Sequence, residues 1–446
     1  MPSTASTTEL QQTGTFVPST SHIQTETNFV PAEPKTLKDT GLSFSEVQGL
    51  ILKYLLNRGT ETGREIANQI KLPFGIVGLL LHELKAQLLV TYRDSAPMGD
   101  YQYELCEVGI LRAKQRSERC TFFGSAPVRL SDYVKSVQAQ SIEKAKPRLA
   151  DLNRAFEDLQ LAPAVVSQIG QAVNAGRALF LYGAPGNGKT CIAERVIRAV
   201  SEHVWIPRTI TITDEIIRVF DPSVHEIVTP ATLRDEFDDT QRFDERWVLI
   251  KRPTVVAGGE LTLEMLECNR NPTTGINEGP LQLKANGGAL VIDDFGRQRI
   301  STTELLNRWI VPLEKGHDYL VLPSGRHIEV PFAQLLVFST NLDPRQIVDE
   351  AFLRRIPYKV EVFDPSEAEF KELFCKLAVK LGFQFDEDIV EYLLEKHYRQ
   401  TSRGLRFCHA RDVLLQVKNL CEFHECPFVL TETNIDVAIY NYFAGL

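Results

Sequence analysis

The chain has 446 residues, of which 43% are hydrophobic and 24% charged, with a formal net charge of -9. That length exceeds one ordinary core, so roughly two to four domains are expected. The acidic balance excludes a global electrostatic drive toward nucleic acid or an anionic membrane, and no apolar run is long enough to span a bilayer. The first residues lack a basic, apolar, small-residue signal pattern, and the eight cysteines are scattered without CxxC spacing. A cytoplasmic protein with reduced thiols is therefore expected.

Residues 1–42 are rich in Ser, Thr, Gln and Pro with isolated Phe16, Phe29 and Val30. Too little apolar surface is present to offset chain ordering, which predicts a flexible tail. The functional alternative is a docking peptide built on Phe29-Val30-Pro31.

Residues 43–116 carry three helical patterns. Ser43 or Ser45 caps the first, with Val47, Leu50, Ile51, Tyr54 and Leu55 on one face. Gly59-Thr-Glu-Thr opens the second, and the third follows Leu72-Pro73 with Ile76, Leu79, Leu80 and Leu84. Strands at Leu88–Tyr92 and Tyr101–Leu105 complete a unit that resembles a small winged helix, a resemblance that implies DNA binding. Outside its apolar positions, however, the third helix offers Gly75, Gly78, His82, Lys85 and Gln87, with no arginine or asparagine to bridge base edges. Protein contact is the expectation, with DNA as the alternative. Residues 117–159 are expected to be a helical connector, and a helix from Leu161-Ala-Pro163 to Gly176 leads into the next unit. Its Val165, Ile169 and Val173 either border a base or pack in the core.

The central stretch is Ala178–Thr190, ALFLYGAPGNGKT. An apolar strand runs into Gly183-Ala184-Pro185-Gly186-Asn187-Gly188-Lys189-Thr190 and then a helical pattern from Cys191. Small residues let backbone N–H groups turn inward around phosphates, Lys189 reaches the outer phosphates and Thr190 places a hydroxyl on Mg²⁺. Pro207–Ile212 is expected to be the second strand. Trp247–Ile250 and Pro253–Val256 are expected to form a hairpin flanking Lys251-Arg252, in a long segment that engages a target.

Gly287-Gly-Ala-Leu-Val-Ile-Asp293-Asp294 is a second buried strand ending in carboxylates. Asp293 is the candidate Mg²⁺ ligand and Asp294 the group that orients water. A helix over Thr302–Leu313 precedes a hairpin over Tyr319–Val330, turning at Ser324-Gly325. Leu335–Thr340 is a further strand, ending at Asn341, a candidate γ-phosphate contact or a helix cap. Arg354 and Arg355 are either solvated or serve a neighbouring subunit's site. From Asp364 the pattern is all-helical, with Arg411 near the start of the helix that carries Val413, Leu414 and Val417. Cys421, His424 and Cys426 lack a second pair at zinc-finger distance, and helical periodicity explains Cys421 as core.

Taken together, residues from about 160 onward resemble an AAA+ ATPase. The resemblance implies an α/β P-loop core over 160–363 with a helical lid over 364–446. It makes Gly183–Thr190 Walker A, Asp293-Asp294 Walker B, Asn341 sensor 1, Arg354 or Arg355 the arginine finger and Arg411 sensor 2. It also implies ATP and Mg²⁺ as cofactors, a homo-oligomeric hexameric ring, and a remodelling or chaperone-like role. The hairpin before Asn341 is similar to that of MoxR-type ATPases, magnesium chelatases and enhancer-binding proteins. Two features depart from those patterns. Walker B ends Asp-Asp rather than Asp-Glu, which implies slow turnover, and no GAFTGA loop is present for a sigma factor. The alternatives are a DNA-linked loader or regulator and a slow-turnover nucleotide-dependent scaffold.

Overall fold

A computed structural model describes residues 29–213, 215–229 and 242–443. Near the N-terminus, Ser43 caps the helix Phe44–Arg58 reciprocally: its backbone N–H donates to the Glu46 carboxylate at 2.7 Å, and its hydroxyl accepts from Glu46 N at 3.3 Å. Thr62 and Glu65 repeat the arrangement at the helix Gly63–Ile70, and Pro73 precedes the helix Phe74–Ala86. Three antiparallel strands, Thr60–Thr62, Asp100–Leu105 and Val90–Ala96 in that spatial order, cover these helices. Val47, Ile51, Ile66, Ile70, Val77 and Leu81 form the core. Leu79, expected on the apolar face, points outward and is 76% exposed.

The flexible-tail expectation extended to residue 42, but residues 29–42 are folded. Phe29 packs on Trp247 with ring centroids 5.4 Å apart, and Asp244 N donates to Pro31 O at 2.9 Å. Arg246 reaches Thr40 O at 3.0 Å. The partners lie some two hundred residues downstream, so local composition could not reveal them.

The central core is a five-stranded, wholly parallel sheet. Its strands are β1 (Leu179–Tyr182), β2 (Thr254–Ala257), β3 (Ala289–Ile292), β4 (Leu335–Thr340) and β5 (Tyr358–Glu361), in the spatial order β2-β3-β4-β1-β5. Alternate residues serve opposite faces. Leu179, Leu181, Val291 and Val337 pack against the helix Pro163–Asn174 and the turns after Lys189. Phe180, Leu290, Ile292 and Phe338 pack against Trp309, Phe295 and Phe352. Val165, Ile169 and Val173 are buried in the first of these cores, so packing accounts for them.

Two expectations about the long central segment are corrected. The second core strand is Thr254–Ala257, not Pro207–Ile212, and Trp247–Lys251 pairs antiparallel with His203–Pro207 rather than with 254–257. Arg252 and Pro253 separate the two runs. The Arg252 guanidinium is buried and donates to the carbonyls of Ser201, Gln140 and Gly287, while Pro253 has no N–H for a ladder. Gly288 is needed beside it, because a Cβ there would sit 1.9 Å from Pro253 O.

Thr209–Ile212 and Glu215–Arg218 belong to a smaller mixed sheet that also takes in Val128–Arg129 of the connector, Asn277–Glu278 and Asn269–Arg270. The hairpin His317–Val321 and His327–Pro331 packs Leu320, Ile328 and Val330 onto Ile210, Ile217 and Tyr133. The helix expected over 302–313 is two, Thr302–Arg308 and Ile310–Lys315, since Pro312 cannot donate to the carbonyl one turn back. Four helices, Glu367–Lys380, Asp388–Leu394, Phe407–Phe423 and Glu432–Phe443, close the chain around Phe370, Phe374, Leu393, Val413 and Ile435. Cys421 is fully buried in that core. Among the described residues, no helix is long and apolar enough to cross a membrane.

Candidate functional site

The site lies at the carboxyl ends of β1, β3 and β4, where parallel strands leave backbone and side-chain polar groups uncovered. After Tyr182 the chain turns through Gly183–Gly188 and enters a helix at Lys189. The turn demands glycine: Gly186 has φ +86°, and a Cβ there would meet Cys408 Sγ at 2.4 Å. Ala184 is half-buried, Pro185 is exposed and Cys191 is half-buried within the first helical turn.

Lys189 is the buried hub, only 6% exposed. Its ammonium donates to Gly183 O at 3.0 Å, Ala184 O at 2.9 Å and Asn341 Oδ1 at 2.7 Å. Burial pulls its pKa below the ordinary lysine value, and the Asp293 and Asp294 carboxylates oppose that fall. Thr190 Oγ1 donates to Asp293 Oδ2 at 2.9 Å. Asn341 Nδ2 donates to Asp294 Oδ1 at 3.2 Å. Asp294 is exposed and has φ +49°, a left-handed conformation uncommon for aspartate. The Gln298 amide secures this turn, donating to Asp293 O at 2.8 Å and Asp294 O at 3.2 Å. Thus Lys189, Thr190, Asp293, Asp294 and Asn341 form one continuous polar constellation.

The far side of the loop is clamped by the helical lobe. Buried Asn187 donates to Asp364 Oδ1 at 2.7 Å and accepts from Phe407 N at 3.4 Å. Cys408 N donates to Gly186 O at 2.9 Å. Arg406 forms an ion pair with Asp364, and its charge contributes to lowering the Lys189 pKa.

Arg411, the residue singled out in this lobe from sequence, is exposed and pairs with its neighbour Asp412 at 3.1 Å. Arg406, by contrast, pairs with Asp364, which also holds Asn187 of the turn. The signal that would have found it is Gly404-Leu-Arg406 immediately before the helix start, rather than the first arginine inside the helix. Gln298 had no sequence signal beyond lying four residues after Asp294.

Arg354 and Arg355 are not brought to the constellation within one chain. Arg354 is exposed at the end of the helix Glu350–Leu353, and Arg355 Nε donates to Glu314 Oε1 at 2.6 Å.

A family model described as a domain of unknown function (DUF8689) matches residues 366–441, within the helical lobe. No curated protein matches. Among solved structures, the RuvB Holliday junction branch migration motor of Thermotoga maritima is 13% identical over 64% of this chain and 70% of its own, with a TM-score of 0.36. NtrX of Brucella abortus is 14% identical over 61% of this chain and 53% of its own, with a TM-score of 0.38. NtrX in complex with ATP is also 14% identical, over 60% and 53%, with a TM-score of 0.36.

Proposed function

We propose that this chain is an ATPase of the AAA+ superfamily that works as a homo-oligomeric ring, of MoxR-like kind, on a protein target. The single observation that carries this reading is the linked set Lys189–Asn341–Asp294 beside Thr190–Asp293 at the sheet's carboxyl edge. The donor set fits ATP and Mg²⁺. A buried ammonium faces a glycine-rich turn, and a hydroxyl beside a carboxylate supplies the hard oxygen ligands that Mg²⁺ prefers.

When bound, ATP supplies the γ-phosphoryl group and Mg²⁺ neutralises charge on its oxygens. Lys189 would exchange its carbonyl partners for phosphate oxygens, while Thr190 and Asp293 would hold the metal. Asp294 orients water, and Asn341 fixes the direction in which the Asp294 carboxylate points. One methylene shorter than glutamate, Asp294 reaches less far, so turnover is slow until the site closes. Arg406 from the lobe and Arg354 or Arg355 from the adjoining subunit bring positive charge to the developing negative charge. Arg355 must leave Glu314 to do so, which makes the finger available only on assembly.

The N-terminal unit, read as a winged helix, serves as a protein-contact module. Leu79 on its third helix and Met98 at the strand turn are 76% and 83% exposed, and each offers an apolar side chain rather than a cation for a phosphate.

The test is binding of Mg²⁺-ATP to wild type and Lys189→Ala, followed by hydrolysis with and without duplex DNA. Saturable binding lost in the variant, with turnover indifferent to DNA, supports the reading. Binding equal in both proteins would overturn it, and DNA-stimulated turnover would move the chain to the DNA-linked class.

A further inference from the structure

A cavity of about 560 Å³, lined by no residue of the glycine-rich loop, lies between the N-terminal unit, the smaller sheet and the tip of the hairpin at Ser324. Its size falls within the range of small-molecule sites. Four cations line it: Lys53, Arg116, Arg119 and Arg270. Among the described residues, none of the four has a carboxylate within the 4.0 Å of an ion pair.

Their hydrogen-bond partners are neutral. Lys53 Nζ donates to Cys120 O at 3.1 Å, Arg116 Nη2 to Ser45 Oγ at 2.6 Å and Arg270 Nη2 to Arg119 O at 2.7 Å. Lys53 is 7% exposed, so its ammonium sits in a largely dry site with one acceptor for three donors. Burial accordingly pulls its pKa below the ordinary lysine value.

Three carboxylates also border the cavity, Glu46, Glu118 and Glu215. Glu46 is engaged in the cap of the first helix, accepting from Ser43 N at 2.7 Å, and Glu215 accepts from Asn277 Nδ2 at 3.4 Å. Glu118 is exposed, and none of the three lies within ion-pair distance of the four cations.

A second observation points to a ligand independently of charge. Thr211 Oγ1 and Asn277 Oδ1 are buried without a hydrogen-bond partner, on residues only 6% and 5% exposed. Thr211 alternates along its strand with Ile210 and Ile212, which face the hydrophobic core, so its hydroxyl is on the opposite side, toward the N-terminal unit. A buried polar atom left without a partner is costly, and two of them lining one cavity with four cations that no carboxylate answers mark an incomplete site.

We infer that this cavity binds a phosphorylated sugar, such as the sugar-phosphate part of a nucleotide, with its phosphate on the Lys53–Arg116–Arg119–Arg270 side and its hydroxyls on Thr211 and Asn277. The ligand bridges the N-terminal unit to the smaller sheet and the hairpin, and thereby fixes how the target-contacting module sits on the catalytic body. Arginine suits the role because its planar fork pairs with phosphate oxygens in a bidentate way.

The experiment is calorimetric titration of the full chain carrying Lys189→Ala, which removes the phosphate loop as a competing site. The probes are ribose 5-phosphate, inorganic phosphate and ribose. Saturable one-to-one binding of ribose 5-phosphate is expected, at least about tenfold tighter than phosphate or ribose alone. Adding Arg116→Gln and Arg270→Gln should weaken it by about tenfold or more. Arg119→Gln, at an exposed position, provides a second variant that leaves the fold intact and should weaken it severalfold. The inference is overturned if ribose 5-phosphate does not bind saturably, if the arginine variants bind it equally well, or if ribose binds as tightly as its phosphate.

Discussion

The Lys189 ammonium donates to Asn341 Oδ1 at 2.7 Å, and the other end of the same amide donates to Asp294 at 3.2 Å. One amide orientation satisfies both bonds, so Asn341 ties the glycine-rich loop to the acidic turn. Replacing it with leucine keeps the bulk and removes both bonds. Hydrolysis should fall by about a hundredfold, the scale expected for losing one preorganised polar group at a reacting centre. Nucleotide affinity should stay within about threefold, since Lys189 and Thr190 remain. Steady-state turnover beside equilibrium binding checks this, and unchanged turnover would remove Asn341 from the account.

Arg406 and Arg411 make a paired comparison. Arg406 is joined to Asp364, which holds Asn187 of the phosphate loop, whereas Arg411 is exposed beside Asp412. Arg406→Ala should weaken ATP binding by about tenfold, the loss of roughly one charge-assisted hydrogen bond. Arg411→Ala should leave it within about twofold. Equal effects would return the lobe's role to Arg411.

Gly186 reports on how closely the lobe abuts the loop. Alanine there is strained twice, by its φ of +86° and by Cys408 Sγ at 2.4 Å from the new Cβ. Destabilisation of about 1–3 kcal/mol is expected, visible as a lowered thermal midpoint. Adding Cys408→Ala should recover only the steric part. Full recovery would mean that the backbone conformation costs nothing.

His409 gives the lobe a pH dependence. Its ring lies among Tyr398, Tyr442 and Phe443, at centroid distances of 5.8, 5.7 and 5.2 Å. Burial first, then the Arg406 charge, pushes the imidazole down to about 4. The unfolded chain takes up a proton near the ordinary value of about 6.5, so between these values it binds more protons than the fold. Stability from this group is therefore complete above about pH 6.5 and is lost as pH falls toward 4, by up to about 3 kcal/mol. Melting curves at about pH 5 and pH 7 should separate clearly for wild type and much less for His409→Phe. Equal separation would place the acid sensitivity elsewhere.

How far the sequence reached follows from the physics of each element. The loop Gly183–Thr190 and the strand ending at Asp293-Asp294 were legible because a local order of glycines, lysine, hydroxyl and carboxylates has few other uses. The start of the first helix was legible as a cap at Ser43 or Ser45, and its capping glutamate, Glu46, selects Ser43. The folding of residues 29–42 depends on Trp247 and Arg246, which no local window contains. Strands 247–251 and 254–257 are both short apolar runs, and nothing in them says that one joins a ribbon and the other the edge of the parallel sheet. Arg406 escaped because its role depends on where the lobe packs, whereas helix periodicity points only to which residues face its core.

The measurement that bears most directly on the account is steady-state ATP hydrolysis with oligomeric mass, on wild type and Asp294→Asn together. The account predicts that both bind Mg²⁺-ATP and assemble, that wild type turns over, and that the variant retains assembly while losing hydrolysis by about a hundredfold or more. If neither protein hydrolyses ATP once assembled, or if the variant turns over as fast as wild type, then Asp294 does not orient water and the central claim is wrong.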